Sequence, residues 1–217
     1  MRAFVAVEIP EPGRRALAEL VRRLSDVEEP VKWVRGAGPA TFHATLKFLG
    51  EVEDARAGAV VAAIEAAAAP IRPLKVELRG VGAFPSERRP RVVFAGLVEP
   101  TGDLARLAGA VESALEAEGF EREGRPFDPH VTIGRVKEAH PRRRPREGRK
   151  PGPAPGPVLA AAIAAERGFS AGPFEVGRVT LFKSVLGPQG PTYTAVREIA
   201  LGGEEPPRDR STGKPPQ

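Results

Sequence analysis

The 217-residue sequence predicts an α+β fold built from two like halves. Three observations predict it. Strand and helix patterns alternate along the chain, separated by short breaks rich in Gly and Pro. One order of elements, a histidine-bearing strand, a helix, a long strand, a Pro-rich turn and a further strand, occurs twice. Each occurrence opens on the same pattern, His43-Ala44-Thr45-Leu46 and His130-Val131-Thr132-Ile133. With three histidines and eight threonines in the chain, chance supplies roughly a tenth of one His-x-Thr, so two copies are a signal.

The elements follow in order. Residues 2–8 read as a strand, and Glu11 to about Leu24 as a helix with Leu17, Leu20, Val21 and Leu24 on one face. Val31-Lys32-Trp33-Val34 is a short strand that ends in the Gly36–Pro39 turn. Phe42–Leu49 is the strand with the first His-x-Thr. Glu53–Ala69 is alanine-rich and helical until Pro70 stops it. Leu74–Phe84 and Arg91–Leu97 alternate as strands across the turn from Pro85 to Pro90. Thr101–Glu118 reads as a helix, with Thr101 as N-cap and Gly119 just past its end. Pro129 then precedes the second His-x-Thr strand, His130–Val136. A helix follows at about Val158–Arg167, then strands at Phe174–Val185 and Thr192–Ile199. Two like halves facing each other would set the histidines across a shared cleft.

Composition narrows the classes. There is no cysteine, so disulfides, thiolate nucleophiles and cysteine metal sites are excluded. Met1 leads into Phe4-Val5-Ala6-Val7 without a cationic-then-apolar leader, and no apolar run approaches a membrane span, so a cytoplasmic protein with no membrane partner is expected. The net charge of +5 arises locally: residues 137–157 carry seven Lys and Arg against two Glu. Residues 138–157 and 202–217 lack the apolar residues to build a core. The expectation is one domain over 1–201, with a flexible basic insertion at 138–157 and a disordered tail at 202–217. A monomer is expected.

Alternate residues of a strand share a face. On that count His43, Thr45 and Lys47 point one way, with Ala44, Leu46 and Phe48 opposite. His130 and Thr132 likewise share a face, with Val131 and Ile133 on the other, and Arg135 falls on the opposite parity from His130 unless a bulge intervenes. A histidine gives or takes a proton near neutrality. Two opposed histidines can divide the work, one accepting a proton from an attacking hydroxyl or water, the other donating to a leaving oxygen. The threonine hydroxyls could hold non-bridging phosphate oxygens, and Lys47 and Arg135 are weaker candidates for substrate contact. A 2′,3′-cyclic phosphate suits such a site. Asp128 lies near His130, but the chain lacks the three or four closely spaced ligands of a zinc site, and neither metal nor cofactor is expected. No Gly-x-Ser-x-Gly elbow is present.

These residues resemble the 2H phosphoesterase superfamily, named for its two His-x-Ser/Thr-x motifs, and within it the LigT-like branch of RNA 2′,3′-cyclic phosphodiesterases, also called the 2′-5′ RNA ligase family. The likeness extends to Arg2–Pro10, Val31–Val34, His43–Gly50, Gly80–Pro85, Phe127–Arg135, Leu181–Ser184 and Gly190–Tyr193, and covers about residues 1–136 and 168–201. It implies a bilobal, pseudo-twofold α+β fold, with a cleft between two antiparallel sheets and helices outside. It also implies metal-independent hydrolysis of an RNA 2′,3′-cyclic phosphate to a 2′-phosphate. Under that resemblance His43 is the proton donor to the 3′ leaving oxygen and His130 the proton acceptor from water, while Thr45 and Thr132 contact phosphate. The motifs themselves are nearly symmetrical and do not assign the roles. The alternatives are 2′-5′ RNA ligation by the reverse chemistry, a non-catalytic RNA-binding module using the Arg-rich segment, and hydrolysis of small cyclic-phosphate nucleotides.

Overall fold

The computed structural model describes residues 1–26, 31–36, 38, 40–136, 157–187 and 190–203. The expected basic insertion (apart from Pro157), His140 within it, and the tail from residue 204 lie outside the described residues.

Among the described residues, nine strands form two antiparallel sheets. The four-stranded sheet has the order β3-β1-β8-β9, from β1 (Arg2–Glu8), β3 (His43–Glu51), β8 (Arg178–Gly187) and β9 (Gly190–Ala200). The five-stranded sheet has the order β2-β6-β5-β4-β7, from β2 (Val31–Trp33), β4 (Leu74–Phe84), β5 (Val92–Val98), β6 (His130–Val136) and β7 (Ser170–Val176). Helices α2 (Ala57–Ala68) and α3 (Asp103–Ala117) pack on the first sheet, α1 (Glu11–Ser25) and α4 (Pro157–Ala165) on the second. Each helix presents an apolar stripe, such as Leu17, Leu20, Val21 and Leu24 on α1 and Leu104, Leu107, Val111 and Leu115 on α3. None of the helices is long and apolar enough to cross a membrane among the described residues.

The duplication is present, but its frame begins one strand and one helix before each histidine. The runs β1-α1-β3-α2-β4 and β5-α3-β6-α4-β8 build matching three-strand units, β3-β1-β8 and β6-β5-β4. In each unit the third strand comes from the other run. That exchange accounts for the main departure from the sequence reading: the single strand expected over Phe174–Val185 is two strands. The chain leaves the five-stranded sheet at Val176, turns at Gly177, and enters the four-stranded sheet at Arg178. Pro173 is tolerated because β7 is an edge strand.

A smaller correction concerns α3. Its N-cap position is Gly102, at φ 80°, not Thr101. The Glu99 carboxylate accepts from the Thr101 N–H (2.8 Å), just before the helix, and from the Leu104 N–H (3.1 Å), a first-turn group that the helix itself leaves unpaired.

One buried ion pair ties the halves together. Lys47 on β3 is 1% exposed, and its Nζ donates to Glu112 Oε1 on α3 at 2.6 Å and to the Glu121 carbonyl at 2.7 Å. Glu112 Oε1 also accepts from the Glu123 N–H at 3.0 Å. The strand bearing the first His-x-Thr is thus bolted to the segment that leads into the second. Removing one partner of such a pair strands the other charge. Lys47→Met is expected to cost about 3–5 kcal/mol in urea unfolding, and Lys47→Met with Glu112→Leu to recover about half of that. A double variant no more stable than the single one would show that the pair is not the source.

Candidate active site

His43 and His130 each open their strand, and each is held in the same way. The Nδ1–H of His43 donates to the Ala40 carbonyl at 3.1 Å, and that of His130 to the Asp128 carbonyl at 2.7 Å. A backbone carbonyl can only accept, so each ring keeps its proton on Nδ1 and presents Nε2 for proton exchange. Strands β3 and β6 approach one another where the two sheets adjoin.

Aromatic rings line both imidazoles. His43 lies 5.0 Å from Phe4, 5.9 Å from Phe182 and 5.2 Å from Tyr193 between ring centres. His130 lies 4.9 Å from Phe84 and 5.4 Å from Phe94. The halves match here too: Phe4 stacks on Phe182 at 5.2 Å, as Phe94 stacks on Phe84 at 4.3 Å. Phe94 also covers Gly82, where a Cβ would sit 2.7 Å from its ring. These rings are inconspicuous in the sequence, because a Phe alternating on a strand looks like any core residue. Their signal was parity: Phe4 and Phe182 fall opposite the Val and Leu residues that fill the core.

Thr45 and Thr132 share the faces of their histidines, and neither hydroxyl is engaged by another described residue. Beyond the threonines, simple alternation fails. Val5 pairs with Lys47 and Ala6 with Thr45, so Leu46 is an extra residue. Val93 pairs with Gly134 and Phe94 with Thr132, so Ile133 is likewise extra. Each bulge falls three residues after its histidine and reverses the parity that follows.

Two expectations are corrected by this. Lys47 does not face the site; the bulge turns it into the core side, onto Glu112. Phe48 does not enter the core; it pairs with Phe4, on the side facing His43, and is 59% exposed. Arg135, reached only if a bulge intervened, is brought onto the face of His130 and Thr132. Gly134 makes that possible: a Cβ there would lie 2.7 Å from the Trp33 ring.

Electrostatics connect the two halves. The His43 imidazole is held below its ordinary pKa of 6.5, first by burial, then by the positive charges of Arg135 and His130, with the Ala40 hydrogen bond opposing. Burial raises the Tyr193 hydroxyl, and Arg135 works against that rise. The Arg135 guanidinium therefore acts across the site on two groups of the opposite sheet. Among the described residues, no three His, Cys, Asp or Glu side chains gather as metal ligands.

Both burial and a neighbouring cation penalise imidazolium, so His43 in the free protein is expected to titrate below pH 6.5 when followed by NMR. Arg135→Gln removes one of these penalties and should move that midpoint upward. An unchanged midpoint would show that Arg135 does not reach His43.

Comparison with known proteins agrees with this architecture. The model of the family described as LigT like Phosphoesterase matches twice, over residues 7–94 and 96–193, once per half. The RNA 2′,3′-cyclic phosphodiesterase of Archaeoglobus fulgidus is 34% identical over 91% of this chain and 98% of its own. That of Aeropyrum pernix is 35% identical over 84% and 93%. A crystal structure from Thermus thermophilus superposes with a TM-score of 0.69, at 31% identity, covering 94% of this chain and all of that one. Escherichia coli LigT, solved with 3′-AMP, shares the fold at a TM-score of 0.63 and 24% identity, over 92% of this chain and 97% of its own. Two His-x-Thr strands, equally held and flanked by matched aromatic pairs, belong to a chain that is a member of the LigT-like phosphoesterase family.

Proposed function

We propose that this chain hydrolyses RNA 2′,3′-cyclic phosphate ends to 2′-phosphates without a metal, with His43 as the acid and His130 as the base. The observation that carries the reading is the equal tethering of the two imidazoles, each with Nδ1 on a backbone carbonyl and Nε2 left free. The names of the Archaeoglobus and Aeropyrum relatives support the substrate class.

In the reaction, His130 Nε2 takes a proton from water as the water oxygen bonds to phosphorus. The bond from phosphorus to O3′ breaks, and His43 Nε2 gives its proton to that oxygen. The proton on His130 then passes to solvent, and His43 is recharged. Thr45 and Thr132 donate their hydroxyls to the non-bridging oxygens, and Arg135 offsets the charge that builds there. Phe48, exposed on the same side, offers a platform for the terminal base.

The experiment uses an RNA ending in a 2′,3′-cyclic phosphate, with EDTA present. Turnover to a 2′-phosphate is expected, falling at least roughly 100-fold in His43→Ala and in His130→Ala while both keep the wild-type fold by circular dichroism. A 3′-phosphate product, loss of turnover in EDTA, or indifference to either histidine would overturn the mechanism. For Phe48→Ala, loss of base stacking worth about 1–3 kcal/mol should appear as a raised KM with kcat much less affected. Unchanged KM would remove Phe48 from the site.

A further inference from the structure

Lys32 on β2 pairs directly with Arg135 on β6, which in turn pairs with Val92 on β5. Paired residues on neighbouring strands point to the same side, so Lys32 and Arg135 stand next to each other on the face that carries His130 and Thr132. Both are exposed, and neither forms an ion pair among the described residues. Other described cations of this chain, Arg79, Arg122 and Arg178 among them, do have carboxylate partners. Like charges set directly opposite each other destabilise a sheet. The arrangement is relieved when an anion lies over the pair.

Arg135 already acts across the site on His43 and Tyr193. Lys32 sits one strand farther out, on the side of β6 away from β5. An anion over Lys32 is therefore a second one, beyond the group that the histidines attack. We propose that Lys32 binds the phosphate on the 5′ side of the terminal nucleoside of single-stranded RNA, and so gives the site a preference for a polymer over a mononucleotide. The proposal rests on the phosphodiesterase reading above. It needs no base-specific contact, since a cation beside a backbone phosphate contributes affinity without reading sequence.

A lysine on an edge strand has another use, which is to deter edge-to-edge pairing between copies. That use requires only that Lys32 be charged and at the edge. It gives no reason for a second cation opposite it on an inner strand, and it predicts a different outcome in the test.

The test compares kcat/KM on a short RNA ending in a 2′,3′-cyclic phosphate with kcat/KM on a 2′,3′-cyclic mononucleotide, for wild type, Lys32→Gln and Lys32→Arg. Wild type should prefer the RNA. In Lys32→Gln the ratio of the two constants should fall at least roughly fivefold, and the slope of log kcat/KM for the RNA against log salt should weaken by about 0.7. Lys32→Arg should restore both. The proposal is overturned if wild type shows no preference for the RNA, if Lys32→Gln lowers both substrates equally, or if the glutamine variant self-associates with the ratio and salt slope intact. A wild type that opens neither substrate would instead sink the phosphodiesterase reading itself.

Discussion

The site depends on one constraint: β3 and β6 each have one face sealed in the core. Ala44 and Leu46 on β3, and Val131 and Ile133 on β6, are all buried. Because side chains on a strand alternate with a period of two, sinking those four residues sends His43, Thr45, His130 and Thr132 to the other side. A slip of one residue in either strand would put an imidazole among the helices and an aliphatic chain in the cleft. The register that makes the core is therefore the register that makes the site. The exchange of β4 and β8 between the two runs adds to this, since neither three-strand unit can be completed without a strand from the other half.

The sequence was most informative where alternation is unbroken. The shared face of each His-x-Thr pair and the apolar stripe of α1 could be read from spacing alone. It was least informative at the bulges. A single extra residue leaves no mark in a hydrophobicity pattern, yet it decides whether Lys47 is a ligand or a core ion pair, and whether Phe48 is buried or exposed. One clue was available: in the second motif the alternation ends at Gly134, and glycine in a strand often marks a bulge or a close approach. The division of Phe174–Val185 was hidden for a different reason. Val176 and Val179 are both buried, but under different sheets, and a local pattern does not record which sheet a strand joins.

The symmetry of the two halves explains how the site arose from one kind of strand, and its breaking explains how the site can handle an asymmetric substrate. Phe48 and Arg135 occupy equivalent positions, five residues after their histidines and just past matching bulges. One half contributes an exposed ring at that position and the other a cation. A nucleotide end likewise has an apolar, stackable base on one side of its ribose and an anion on the other. The aromatic linings differ as well: His43 has Tyr193 as a third ring neighbour, whereas His130 has only the Phe84 and Phe94 pair among the described residues.

The same asymmetry bears on which histidine acts as acid. Arg135 stands on the strand of His130, but its charge is felt by His43. In the free protein that charge and burial together disfavour the protonated imidazole, which by itself would favour a base. On the proposed reaction the scissile phosphate lies between the guanidinium and the imidazole, and its negative charge changes the balance. By linkage, whatever anion makes His43 easier to protonate is also bound more tightly once His43 is protonated. On the proposed reaction His43 is thus charged by the arrival of the substrate, and becomes an imidazolium whose proton is held weakly by its apolar surroundings. A weakly held proton is what a leaving alkoxide needs, so the burial that disfavours imidazolium in the empty site also suits His43 to the proposed role of donor in the filled one.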